Sequence, residues 1–147
     1  MEATFCELLA HLDAKQLHQL ADQWNWDDGY EELHAIIAQR QCSLATALML
    51  YWRGQPHYYR KFSHRDQIPF FNLGPYDLLK EIEERLRAGG FQHHGIAYDP
   101  RQDQGIDFTR CKYKVASLTS PLPDYVFVMT TQDAVIPFER TRDTEGQ

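Results

Sequence analysis

Up to Gly90 the apolar residues recur at helical spacing, and beyond it the pattern shortens toward alternation. Phe5, Leu8, Leu9 and Leu12 fall on one face of a first helix, which Thr4 can cap. Asp13 opens a second helix. Gln16, three residues on, completes a capping box, and Leu12 and Leu17 are placed as a hydrophobic staple. Leu17, Leu20, Ala21 and Trp24 continue its inward stripe. Asp28 is the expected N-cap of a third helix, with Glu31 as box partner and Tyr30, Leu33, Ile36 and Ile37 on the buried face. A fourth helix starts near Ser43 and is apolar nearly all round as far as Trp52, as a helix central to a core would be. Gly54 and Pro56 stop it. Residues 55–74 read as irregular and aromatic. Pro75 then opens a fifth helix at the favoured first position, with Leu79, Ile82 and Leu86 inward. Glu81 with Arg85, and Glu83 with Arg87, are expected as outward pairs.

After Gly89-Gly90 the signals turn to strands and turns. Gly95 to Tyr98 is a short strand candidate, D-P-R-Q-D-Q-G is a turn, and Ile106 to Leu118 alternates. Tyr125 to Thr131 is the strongest strand signal and, being apolar on both faces, is expected to be central. Ala134 to Glu139 suits an edge strand, because Pro137 cannot donate to a ladder. The expected fold is α+β. An N-terminal part of four to five short helices spans 1–90, and a small antiparallel sheet lies in 91–140. A flexible tail follows at 141–147, all within one domain.

Composition narrows the function classes. The chain of 147 residues carries a net charge of −6 and has no basic run, which argues against nucleic-acid binding. An acidic surface suits solubility or a basic protein partner. No apolar run reaches the roughly 18 residues of a membrane span, and no signal-peptide pattern opens the chain, so a cytosolic location is expected. Cys6, Cys42 and Cys111 are far apart and odd in number, so neither a disulfide framework nor a zinc knuckle is expected.

Several residues invite chemistry. Asp27-Asp28 could hold a metal, but carboxylates at a helix start more commonly cap free N–H groups. His18 and Asp22 share a helix face with His11 nearby, and a surface hydrogen-bonded pair is the plainer reading. His93 and His94 are adjacent in an expected strand, so their rings would point apart. Cys42 lies just before a helix, where the dipole favours a thiolate, with His34 or His57 as a possible base. The ordinary alternative is a small buried hydrophobe. No phosphate loop, nucleophile elbow or dinucleotide glycine pattern occurs. The aromatic residues Tyr58, Tyr59, Phe62, Phe70 and Phe71 either wrap the helical core or form a partner-binding patch.

The N-W-D-D-G cluster at Asn25 to Gly29, followed by C-S-L-A-T-A-L-M-L-Y-W at Cys42 to Trp52, resembles a bacterial domain family of unknown function. That family's signature is an N-W-D-x-G turn followed by a T-A-L-x-x-Y-W helix, and the match covers roughly His18 to Pro56. The resemblance implies a place beside secreted toxins, as for immunity proteins. With the acidic balance and the missing catalytic set, the expectation is a non-enzymatic cytosolic immunity protein that occludes a cognate toxin domain, with no cofactor and no metal. Its expected partner-binding residues are Trp26, Asp27, Glu31, Glu32, Tyr58 and Tyr59. Two other classes remain open: a small metal- or Cys-dependent hydrolase that reverses a toxin's modification, and a structural adaptor.

Overall fold

The structure is a computed structural model that describes residues 4–140. The tail expected at 141–147 lies outside the described residues. The α+β arrangement is as expected. Helices α1 (Phe5–Ala10), α2 (Ala14–Gln23), α3 (Glu31–Ile37), α4 (Leu44–Arg53), α5 (Pro56–Tyr59) and α6 (Leu73–Arg87) precede a two-stranded antiparallel sheet. Its strands are β1 (Val128–Thr130) and β2 (Val135–Pro137), with Met129 opposite Ile136.

The first two helix starts follow the sequence signals. The Thr4 side chain accepts from the Glu7 N–H and Asp13 from the Gln16 N–H, each within a complete capping box. The next start does not. Asn25, not Asp27 or Asp28, accepts a backbone N–H and caps a 3-10 turn over Trp26–Asp28. Helix α3 then begins after Tyr30 with no side-chain cap, so Asp28 and Glu31 form no capping box. Asn25 wins because its short side chain reaches the N–H two residues on, an Asx turn that Asp28 sits too late to make.

Helix α4 is the centre of the fold. Its residues Ala45 to Trp52 are all buried, and α2, α5, α6 and β1 pack around it. Three of its side chains, Thr46, Tyr51 and Trp52, carry polar atoms into that core, and all find partners. The Trp52 indole N–H donates to the Val126 carbonyl at 3.3 Å, and the Tyr51 hydroxyl donates to Glu83 at 2.8 Å. Ser43 stands at the N-cap position but its hydroxyl makes no capping bond. The helix start is instead tied by the Leu44 N–H to the Gln92 carbonyl at 2.8 Å.

Helix α6 begins at Leu73, two residues before Pro75, and buries Leu78, Leu79 and Ile82. The expected outward pairs along it are not made. Glu83 is buried, where it accepts from Tyr51 and from Arg60 at 2.9 and 3.1 Å. Glu81 pairs with His34, Arg85 donates to the Ile37 carbonyl, and Arg87 pairs with Glu84 at 2.7 Å. Helical spacing cannot register that a neighbouring helix offers a better partner than the next turn does. Leu8, expected inward on α1, is 55% exposed, while Leu9 on the same helix is buried.

After α6 the chain is mostly irregular. Gly95 to Tyr98 contributes only a single bridge, Tyr98 to Thr130, and no strand forms between Ile106 and Leu118. Tyr125 to Thr131 is a 3-10 turn (Asp124–Val126) followed by the three residues of β1, so the strand is short and not central. Its apolar residues were a true signal of burial: Val126 and Phe127 enter the core, through packing on α4 and α6 rather than by sheet pairing.

Glu83→Ala would leave the Tyr51 hydroxyl and the Arg60 guanidinium without their buried acceptor. We expect a loss of roughly 3 kcal/mol of stability, read from urea denaturation. A loss below about 1 kcal/mol would mean that the network contributes little.

Candidate functional site

The turn after α2 is held at both ends. The Trp24 indole N–H donates to the Gly29 carbonyl at 3.1 Å, and the Asp28 N–H donates to the Asn25 carbonyl at 2.9 Å. This fixes Trp26, whose ring meets Tyr30 edge-on with centroids 6.1 Å apart. Tyr30 in turn rests on the start of α6. A Cβ at Gly74 would lie 2.5 Å from the Tyr30 ring, so only glycine permits the contact. Gln55, between α4 and α5, takes a left-handed φ of 62° and turns α5 back across the end of α4.

These elements leave an open groove of about 530 Å³. Trp26, Tyr30, Tyr58, Tyr59 and Tyr113 line it, with Asn72, Arg53 and Lys112. Tyr58 is at its centre: it packs edge-on to Tyr59 (5.0 Å) and Phe62 (5.5 Å), and its hydroxyl accepts from the Asn72 amide at 3.1 Å. The Lys61 ammonium lies over the rings of Tyr58 and Tyr113, at 5.1 and 4.9 Å. Arg53 is already engaged, bidentate to Asp103 at 2.8 Å and paired with Asp22 at 2.8 Å. The lining contains no carboxylate, imidazole or thiol. Next to Asn72, Phe70 and Phe71 are 88% and 77% exposed.

The fold thus brings three of the expected partner-binding residues, Trp26, Tyr58 and Tyr59, to one groove. Tyr59 is only 9% exposed and offers little surface, because it packs against Tyr58 and Tyr76. Asp27 and Glu31 are exposed and Glu32 half-buried, and none of the three lines the groove. The aromatic segment divides between its two readings. Tyr58, Tyr59 and Phe62 wrap the core, whereas Phe70 and Phe71 stand out from it. Sequence reasoning missed Tyr30 as a groove wall, since helical spacing placed it with the core. Tyr113 and Lys112 arrive from a distant irregular segment that no local pattern marks.

The other candidate chemistries resolve into structural contacts. His18 Nδ1 lies 2.8 Å from the Thr46 hydroxyl, so its partner is not Asp22. Burial pushes the Cys42 thiol up to about 12, against a lesser opposing influence of Arg85, and its Sγ contacts the Ser43 carbonyl at 3.8 Å. That thiol is protonated near neutral pH, which opposes a nucleophilic role. Among the described residues no three His, Cys, Asp or Glu side chains gather as a metal site, and no helix is long and apolar enough to cross a membrane.

The titrating groups give a pH signature. Burial lowers His18 and His57 below the usual 6.5. Asp103 is opposed by burial, but hydrogen bonds from Arg53 and Tyr98 prevail and hold it below 3.8. The unfolded chain takes up the histidine protons first, so stability is full above about 6.5 and falls as the pH drops below it. A second loss follows below about 3.8, as Asp103 protonates. His18→Gln should flatten the upper step in thermal melts between pH 7.5 and 5. An unchanged slope would remove His18 from this account.

No curated protein and no solved structure matches the chain. Residues 12–87, from just before α2 to the end of α6, match the family described as a domain of unknown function (DUF4274). These residues build the helical body and most of the groove, and the chain belongs to that family.

Proposed function

We propose that this chain is a non-enzymatic binding protein that covers a partner protein with its aromatic face, and that the partner is a toxin domain it neutralises. The observation that carries the binding role is the exposed Phe70–Phe71 pair beside the Trp26, Tyr30, Tyr58 and Tyr113 groove. Large aromatic surface left in water is costly unless something covers it, and Trp and Tyr dominate the energetics of protein interfaces. A groove without acid, imidazole or thiol favours binding over acid–base or nucleophilic chemistry. The Cys-dependent form of the hydrolase alternative would need Cys42 as a thiolate, which its burial opposes.

The toxin assignment draws on the family resemblance of W-N-W-D-D-G and T-A-L-M-L-Y-W, and on charge. A net charge of −6 with Asp27 and Glu31 exposed beside Trp26 suits a basic partner, steering its approach while the rings supply affinity. Lys61, over the Tyr58 and Tyr113 rings, and Lys112, in the groove lining, would then meet the partner's own acids and set its orientation.

Co-expression with the product of the adjacent upstream gene tests the reading, scored by growth rescue and by affinity of the purified pair. Trp26→Ala and Tyr58→Ala should each weaken binding about thirty-fold, the loss of ~2 kcal/mol typical of a hot spot. Phe70→Ser with Phe71→Ser should abolish rescue without lowering the melting temperature. Asp27→Lys with Glu31→Lys should slow association. Rescue without a complex, or wild-type affinity in the aromatic variants, would overturn the proposal.

A further inference from the structure

A second hollow lies on another side of α5, between that helix, α6 and residues 119–120. It shares only Tyr59 with the aromatic groove. Its volume is about 120 Å³. A cavity of roughly 150 Å³ holds a benzene molecule, so this one has room for a ligand of a few heavy atoms.

Its charge balance is uneven. Glu83 is the one carboxylate in the lining, and it is fully engaged by the Tyr51 hydroxyl and by Arg60. Arg60 and Lys80 share this single carboxylate, with Arg60 the closer. Lys80 adds a second cation, with its ammonium 3.8 Å from a Glu83 oxygen and 5.6 Å from the Tyr76 ring centre. The walls also supply hydroxyl donors. Ser120 accepts from Arg60 at 3.2 Å, which leaves its own O–H free to donate, and Ser63 has no side-chain partner among the described residues. Two cations, one spent carboxylate and donor hydroxyls around a small hollow make a surplus of positive charge without a counter-charge.

We infer that this hollow is a binding site for a small oxyanion, a phosphate or a short carboxylate, held between Lys80, Arg60 and Ser120. Charge-assisted hydrogen bonds from ammonium and guanidinium groups are the strong ones for such ligands. Glu83 acts as a positioning residue: it fixes the Arg60 guanidinium and leaves Lys80 as the cation without a full partner. The mouth is accessible, because Lys80 is 43% exposed at the side chain. The site stands independently of the toxin-binding reading.

The test is a titration of the full chain with inorganic phosphate, and separately with acetate, at constant ionic strength set by chloride. Backbone amide shifts of Arg60, Lys80 and Ser120 provide the readout. Saturable shifts confined to these residues are expected for one or both anions, and the tighter anion identifies the preferred headgroup. Lys80→Met should weaken binding at least tenfold with the melting temperature unchanged, and Ser120→Ala should weaken it several-fold. Lys15→Met, away from the hollow, should bind as the wild type does. Shifts that do not saturate, or that persist in Lys80→Met, would overturn the inference.

Discussion

A helix buried on every side obliges the rest of the chain to surround it, and α4 sets that condition here. Ala45 to Trp52 meet no water, so each sector of the helix needs a covering element. Helix α2 covers one sector, α6 another, and the segment through Val126 to β1 closes a third. Tyr51 and Trp52 bury the largest surfaces and also the polar atoms that must be matched. Their bonds to Glu83 and Val126 therefore fix where α6 and the C-terminal segment can lie. Val126 stands outside the residues matched to the family, yet it completes the core of the matched part.

The groove is a consequence of how that wrapping ends. Gly54 and the left-handed Gln55 terminate α4 abruptly and send α5 across its end, while Gly74 lets Tyr30 settle against α6. The gap between these elements is lined mainly by rings at the margin of the core, Trp26, Tyr30, Tyr58 and Tyr113, with the buried Tyr59 beneath them. Polar pairs secure its margins. Arg53 joins α2 and α4 to the C-terminal segment through Asp22 and Asp103, and Tyr98 donates to the same Asp103 at 2.9 Å. As the proposed binding face, a groove built on such fixed elements would lose little freedom on meeting a partner, which favours affinity.

Much of the helical part was legible in the chain. The Thr4 cap, the Asp13 capping box, the all-apolar run before Gly54 and the inward stripe of α6 each rest on local rules, and local rules suffice where neighbours in sequence are partners in space. The failures share a cause. Glu83 and Glu81 looked like surface acids because their partners, Tyr51, Arg60 and His34, come from other helices. Tyr125 to Thr131 looked like a long central strand because burial against α4 produces the same run of apolar residues as burial within a sheet. Of the site, Trp26 and Tyr58 were visible as unusual aromatics. Tyr113, Lys112 and the exposure of Phe70 and Phe71 depend on the folding of distant segments.

The central claim is that the aromatic groove and the adjacent Phe70–Phe71 turn form the face that meets a partner. Hydrogen–deuterium exchange of this chain, alone and in complex with the product of the adjacent gene, the proposed partner, tests that claim most directly. The account predicts slowed exchange at residues 26–30, 55–59, 70–72 and 112–113, with β2 and the exposed face of α1 unchanged. Protection confined to α1 or the sheet, with those four segments exchanging as in the free protein, would contradict it.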